Sequence, residues 1–304
     1  MLASENTALR DLFLAEVILV ACVVVGWLVG RILLRFDPTR LEHGAAAAPE
    51  EDEGGWLFSD SLAIVGGAFG IIIGLQLVFA AQHFVDAKDN ARDEAATSVA
   101  LFQAVGPLAT EHRDAVRRDL VCYMRSVAGD DWSAVSAGYL TGAPSTVAWS
   151  MALHDEFQAA DTATGGSLAL MYSAADQISS LDQERQQRLL YGIPEIPLAI
   201  WVVVYVGTTV TIALMVLRLQ RHRRAAVINV VATTILLGAV VGSLSVLDVP
   251  YAGLGATLKP VAMNTALLQL ETAAPGPLWD PCPQLPPIVD EPVAETPAAS
   301  TATS

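Results

Sequence analysis

Residues 59–94 read SDSLAIVGGAFGIIIGLQLVFAAQHFVDAKDNARDE, an apolar stretch that passes without interruption into a charged one. No Asp, Glu, Lys or Arg occurs between Asp60 and Asp86, so a helix of these residues is about as long as a bilayer core is thick. From Asp86 onward, charged side chains alternate with alanine, and neither glycine nor proline occurs before Gly106. The sequence therefore predicts a transmembrane helix that leaves the membrane unbroken and becomes the first helix of a polar unit.

Three further apolar runs are long enough to cross a membrane, at residues 12–34, 196–217 and 225–247. The first is too long for the apolar part of a signal peptide and has no basic region before it, so we expect an uncleaved helix. Together with residues 59–85, these runs predict an all-α integral membrane protein with four transmembrane helices. A helical soluble domain is inserted between the second and third of them.

The remaining segments follow from these four spans. They are an N-terminal tail (1–11), a linker (35–58), the soluble helical domain (86–195), a basic loop (218–224), a turn with an amphipathic helix (248–271) and a disordered tail rich in Pro, Ala, Thr and Ser (272–304). Helical spacing without strand alternation predicts that the soluble domain is a small bundle, and Gly129-Asp130-Asp131 is predicted to end its second helix.

Small residues recur every fourth position in three of the four spans. This pattern lets helices approach backbone to backbone, so it predicts a tightly packed membrane bundle, with the first span docked on the glycines of the second. The glycines concerned are Gly26, Gly30, Gly66, Gly70, Gly74, Gly238 and Gly242.

Composition limits the classes of partner. The chain has 304 residues, of which 53% are hydrophobic and 16% charged, with a mean hydropathy of +0.46, as expected for a protein whose main partner is the lipid bilayer. The net charge of −15 argues against nucleic acid, because binding to phosphates relies on clustered Lys and Arg.

The sequence shows no pattern typical of an enzyme, a metal site or a cofactor site. Nucleotide-binding, hydrolase and metalloprotease motifs are absent, and the five histidines lie in five separate segments. Cys22, Cys122 and Cys282 are far apart, so we expect neither a zinc site nor a disulfide framework.

Polar residues within and beyond the second span form the candidate site. Gln76 and His83 are seven residues apart and therefore share one helix face. One interpretation is that Gln76 hydrogen-bonds a neighbouring helix. The other is that this face lines a water-filled path whose charged mouth is formed by Asp86, Asp89 and Asp93, and carboxylates at such a mouth attract cations.

The order of these segments resembles the bacterial DUF4239 or bestrophin-like domain family. The matching segments are FVDAKDNARDEAATSVALFQAVGPL (84–108), RLLYGIPEIPLAIW (188–201) and LDVPYAG (247–253). The resemblance covers residues 10–271 and implies a distant relation to bestrophins, which are oligomeric anion channels, and hence a homo-oligomer.

The turn motif of the last segment consists of Asp248, Pro250, Tyr251 and Gly253. Bestrophins follow their corresponding turn with an acidic calcium-binding cluster, whereas Ala-Gly-Leu-Gly-Ala-Thr-Leu-Lys follows here. We therefore expect no calcium clasp.

The distribution of Lys and Arg predicts the orientation in the plasma membrane. Basic residues concentrate in the two short connections, which places those loops in the cytoplasm and the helical domain outside. Bestrophins hold their corresponding helices in the cytoplasm, so the resemblance points the other way. The residues concerned are Arg31, Arg35, Arg40, Arg218, Arg221, Arg223 and Arg224.

Two functions remain open from the sequence. The glycine-striped helices and the resemblance favour an oligomeric ion channel or transport protein. The acidic helical domain and the few polar residues within the spans favour a non-conducting membrane-anchored sensor or scaffold that binds a protein partner.

Overall fold

A computed structural model describes residues 53–164, 168–218, 223–251 and 257–283, and also residues 17, 20, 21, 24–28 and 32 of the first apolar run. Every element in these ranges is helical. The elements are α1 (Glu53–Ala104), α2 (Thr110–Ser126), a π-helix (Val127–Asp131), α3 (Trp132–Ser136), α4 (Pro144–Thr164), α5 (Leu168–Leu190), α6 (Leu198–Arg218), α7 (Arg223–Asp248), α8 (Val261–Ala273) and a 3₁₀ turn (Pro277–Trp279).

Helix α1 runs unbroken for 52 residues and joins the membrane layer to the polar part of the molecule. At 1.5 Å per residue it is about 78 Å long, more than twice the thickness of a bilayer core. It begins six residues before the predicted second span, so the end of the predicted linker at 35–58 is helical.

Among the residues that the structure describes, three helices are long and apolar enough to cross a membrane. The apolar stretches are the first part of the segment Ala63–Ala104 in α1, Leu198–Val216 in α6 and Ile228–Asp248 in α7, each with a mean hydropathy of 2.2. Most of the predicted first span at 12–34 lies outside the described residues. Helix α1 packs against α6 and α7, and the Phe69 ring fills the space over Gly207, where a Cβ would overlap it.

Gly26 shows where the first apolar run docks. A Cβ at Gly26 would lie 2.7 Å from the backbone oxygen of Thr209 and 3.3 Å from the Ile212 Cβ, both on α6. The run therefore packs on α6 at this point, whereas its docking on the glycines of α1 stays a prediction.

The remaining predicted packing glycines differ from Gly26. A Cβ at Gly66, Gly70, Gly74 or Gly242 would meet no atom of the described residues within 4 Å. Gly238 is partly buried, and Gly30 lies outside the described residues.

The larger hydrophobic core of the polar part is formed by the distal half of α1 with α2, α4, α5 and α8. In α2, apolar side chains at helical spacing, including Val116, Leu120 and Val127 just beyond its end, are fully buried. Helix α8 contributes Met263 and Leu270, although it follows α6 and α7 in the chain. The core therefore includes a segment beyond the predicted domain boundary at 195.

A disulfide between Cys122 and Cys282 links α2 to the chain beyond α8, across a sequence separation of 160 residues. The expectation that the cysteines would not pair is therefore wrong, because α8 brings two distant segments together. Arg125 also donates hydrogen bonds of 2.9 Å to the backbone oxygens of Trp279 and Asp280. These contacts order residues 272–283, so the disordered tail predicted from residue 272 is wrong over this range.

We expect Gly26→Ala to destabilise the membrane bundle. The added methyl group would press on the backbone of α6, and overpacking of this kind costs about 1–3 kcal/mol. Thermal unfolding of the purified protein in detergent should show a lower melting temperature for Gly26→Ala and little change for Gly242→Ala, where the space is open. Equal melting temperatures would contradict the docking of Gly26 on α6.

Candidate functional site

A fully buried arginine joins three elements of the polar part. Arg188 on α5 donates from Nε to Glu94 Oε2 of α1 at 2.6 Å, and from Nη2 to Asp131 Oδ2 of the π-helix at 2.6 Å. All three side chains are inaccessible to solvent. Burial lowers the pKa of Arg188, but the two carboxylates raise it by more, so its pKa lies above the ordinary value and the guanidinium stays charged.

Neutral and backbone donors complete the shells of the two carboxylates. The Tyr123 hydroxyl donates to Glu94 Oε1 at 2.9 Å, and burial raises the pKa of Tyr123, which keeps this donor protonated. The Ala143 amide donates to Asp131 Oδ1 at 2.5 Å, and Arg185 lies 3.5 Å from the same oxygen. The network therefore balances the two buried carboxylates against the guanidinium of Arg188 and, at 3.5 Å, that of Arg185, with directed hydrogen bonds.

The π-helix turns Asp131 towards this network. The prediction that Gly129-Asp130-Asp131 ends a helix is wrong, because the chain stays helical through the wider π turn and into α3. Gly142 has φ +71° and lies so close to Asp131 that a Cβ would overlap the carboxylate. A glycine is required there for both reasons.

Sequence reasoning did not select Glu94, Asp131 or Arg188 as site residues. One signal was available, because Glu94 lies in the stripe of α1 that faces the core, where a carboxylate requires a partner. The buried members of that stripe are Ala87, Asn90, Glu94, Ser98 and Leu101. The partner itself lies 94 residues away, and nothing local to Glu94 identifies it.

A cavity of about 360 Å³ lies between α1 and α5, where α1 becomes polar. The predicted mouth residues Asp86, Asp89 and Asp93 all line it, together with Glu184 from α5. No Lys or Arg belongs to its lining, although the exposed Arg92 pairs with Asp89 at 2.8 Å. The structure thus brings the three predicted aspartates together along one acidic cavity.

The two other predicted polar residues lie elsewhere. Gln76 is partly exposed on the apolar part of α1 and does not belong to the cavity lining. His83 is buried, with Nδ1 2.7 Å from Glu195 Oε2 and its ring edge-on to Tyr191 at 5.4 Å. The predicted polar face is therefore divided, and only its aspartates form the cavity.

The wall of the cavity includes Glu184, whose carboxyl group is partly buried near other carboxylates. Burial raises the pKa of Glu184, a hydrogen bond of 2.8 Å from the Thr97 hydroxyl lowers it, and nearby Glu94 and Asp93 raise it, for a net increase. Asn90 donates to Gln187 Oε1 at 3.2 Å, while its own Oδ1 is buried without a partner. The cavity therefore has a surplus of hydrogen-bond acceptors.

The carboxylates line the cavity and do not converge on one point. Within the ranges that the structure describes, no three His, Cys, Asp or Glu side chains are placed to hold one metal ion. Carboxylates spread along a wall act through their summed field, which raises the local concentration of cations.

The turn motif fastens the end of α7 to its neighbours. Asp248 Oδ1 accepts hydrogen bonds from the backbone amides of Glu195 at 3.0 Å and Ile196 at 2.9 Å, just before α6. Tyr251 is buried edge-on against Trp132 at 5.2 Å. The Pro250 oxygen accepts from Leu258, and Gly253 lies outside the described residues.

We expect Arg188→Met to be strongly destabilising, because it leaves the buried Glu94 without its charge partner and leaves Asp131 with only the 3.5 Å contact to Arg185. Breaking a buried pair in this way costs about 3–5 kcal/mol. Arg92→Gln is the matched control, since its pair with Asp89 is exposed and such pairs contribute less than about 1 kcal/mol. Thermal unfolding in detergent measures both variants, and similar melting temperatures would show that the network is dispensable.

Comparison with known proteins places this geometry in a family. Residues 61–257, about two thirds of the chain, match the Bestrophin-like domain. A bacterial bestrophin homologue from Klebsiella pneumoniae, solved by zinc phasing, aligns with a TM-score of 0.60 at 14% identity, over 83% of this chain and 97% of that one.

Two single-residue variants of the Klebsiella pneumoniae homologue give similar results. One aligns with a TM-score of 0.59 at 14% identity over 84% of this chain and 98% of the other. The second aligns with a TM-score of 0.57 at 15% identity over 83% and 98%. At these identities the similarity establishes the fold alone.

No curated protein sequence matches the chain. The domain match nevertheless spans the apolar helices, the Arg188 network and the turn at Tyr251, and the solved structures share the fold over nearly their whole length. The chain is a helical membrane protein that belongs to the bestrophin-like family.

Proposed function

We propose that this chain is the subunit of a homo-oligomeric bestrophin-like channel that conducts cations past the acidic cavity. The observation that carries the proposal is the set of Asp86, Asp89 and Asp93 along the first polar turns of α1, facing a cavity without basic side chains. Carboxylates at the mouth of a path favour cations over anions. Nothing in the arrangement requires catalysis, and we infer that the protein is not an enzyme.

The surface of α1 supports assembly into an oligomer. A Cβ at its glycines 66, 70 and 74 would meet none of the residues that the structure describes within 4 Å, a surface suited to close approach by another helix. Large apolar side chains beside them are also exposed, including Ile71, Leu75 and Val78. If α1 helices surround a common axis, the aspartates of each subunit form rings at the exit from the membrane.

The disulfide supports an extracytoplasmic position for the polar unit of a multi-pass plasma-membrane protein. Disulfides persist mainly in oxidising compartments, and Cys122–Cys282 lies in the core of this unit. Helices α6 and α7 leave this side and return to it, because α8 packs on the same core as α2. The basic connection at 218–224 then lies on the opposite side, as expected for a cytoplasmic loop.

Ion selectivity in planar bilayers tests the channel proposal. The purified protein should conduct, and in a KCl gradient its reversal potential should indicate a preference for K⁺. The double variant Asp86→Asn with Asp93→Asn should shift that potential towards zero, because it removes charge from the cavity. The matched control is Asp155→Asn with Asp176→Asn, which removes two exposed carboxylates outside the cavity lining.

An unchanged reversal potential in the cavity variant would show that Asp86 and Asp93 do not determine the ion selectivity of the channel. Absence of any ion-selective conductance in the wild-type protein would remove the channel proposal and leave the membrane-anchored sensor or scaffold. In that case, crosslinking in the native membrane would be expected to capture a protein on the helical unit.

Membrane-impermeant maleimide tests the orientation. Both variants are made in a Cys22→Ser background. Tyr172→Cys marks an exposed position on α5, and His222→Cys marks the basic loop while keeping its four arginines. We expect the reagent to label position 172 in intact spheroplasts and position 222 only after lysis, because the charge rule and the disulfide agree. Labelling of position 222 in intact spheroplasts, and of position 172 only after lysis, would place the polar unit in the cytoplasm.

A further inference from the structure

The turn that follows α3 exposes two large side chains in a stretch without charge. No Asp, Glu, Lys or Arg occurs between Asp131 and His154. Within this stretch, Tyr139 is 66% exposed and Leu140 is 47% exposed. Isolated apolar side chains are common on protein surfaces. A binding role for these two residues therefore has to be argued from their position in the fold and from their neighbours.

The backbone holds this turn in a defined shape. Gly138 and Gly142 adopt φ values of +86° and +71°, a conformation that other residues rarely adopt. The Tyr139 amide donates to the Ala134 oxygen at 2.9 Å, and the Ala143 amide is bound by Asp131 of the buried network. The exposed tip is therefore fixed at both ends and projects from a rigid base.

Three contacts place α3 at the level where the apolar helices end. A Cβ at Gly192, shortly before α6, would meet the Val135 side chain at 2.9 Å. The Trp132 ring packs on Tyr251, three residues after α7. The Tyr251 hydroxyl in turn lies 3.4 Å from the backbone oxygen of Ala87, next to Asp86, where the uncharged stretch of α1 ends.

The exposed turn continues into the surface that enters the membrane. Leu190 and Ile193, both exposed, flank Gly192, and Leu140 Cδ2 lies 3.9 Å from the Cβ position of that glycine. We define Tyr139, Leu140, Leu190 and Ile193 as the interfacial patch. It leads directly to Leu198, the first residue of α6, which is 79% exposed on the apolar surface.

We propose that the interfacial patch lies in the headgroup layer of the bilayer and that its occupant is the lipid surface. Tyrosine is enriched at membrane interfaces because its ring is apolar and its hydroxyl is polar, and contiguous exposed apolar patches mark membrane contacts. Continuity with the membrane-facing start of α6 favours lipid over a second copy of the chain. The polar unit thus contacts the membrane through the turn that follows α3.

Spin-label accessibility in vesicles tests this contact. The full-length Cys22→Ser protein, whose disulfide is intact, carries a nitroxide at Tyr139→Cys or Ile193→Cys and is reconstituted into vesicles of phosphatidylcholine and phosphatidylglycerol. The control is Tyr172→Cys, a similarly exposed tyrosine on α5, about 27 Å along that helix from Leu190. Collisions with oxygen, which concentrates in lipid, are compared with collisions with a water-soluble nickel chelate.

We expect oxygen to dominate at positions 139 and 193 and the nickel chelate to dominate at position 172. Melting temperatures like that of the unlabelled protein establish that each variant is folded. Nickel accessibility at position 139 equal to that at position 172 would overturn the proposal. Exclusion of both reagents at position 139 would also overturn it, because the patch would then be covered by protein.

Discussion

The placement of Arg188 between Glu94 and Asp131 is the constraint on which the polar unit depends. A guanidinium without solvent carries a large desolvation cost, which only well-directed carboxylates and hydrogen bonds offset. These partners come from α1 and the π-helix, so α5 cannot move relative to either element without exposing or isolating a charge. Since α1 and α5 also form the walls of the acidic cavity, the network fixes the spacing of that cavity.

The acidic residues in the polar half of α1 point in two directions, either towards the Arg188 network or towards the cavity. Glu94 faces inward and is neutralised by Arg188, whereas Asp86, Asp89 and Asp93 face the cavity, with only Asp89 paired to an exposed arginine. One helix therefore contributes both a buried carboxylate that is paired with arginine and acidic side chains that line the cavity. The same helix reaches into the apolar layer, which couples the charged cavity to the membrane segment without a flexible joint.

Patterns within single helices allowed much of this architecture to be predicted. Hydropathy identified the apolar stretches of α1, α6 and α7, the absence of glycine and proline predicted the continuity of α1, and spacing by one turn grouped the three aspartates. The missed features all depend on residues distant in sequence. Glu94 and Arg188, and likewise Cys122 and Cys282, meet only after the bundle has formed, and no local periodicity encodes such pairs.

The late position of α8 in the chain has a consequence for biosynthesis. Helices α1, α2, α4 and α5 are translated before α6 and α7, but the core that they share with α8 stays incomplete until those two apolar helices have been made. The helices made first therefore keep an uncovered hydrophobic groove while α6 and α7 enter the lipid. Closure by α8 and oxidation of Cys122 with Cys282 then come last, so maturation of this domain reports that insertion of the preceding helices has succeeded.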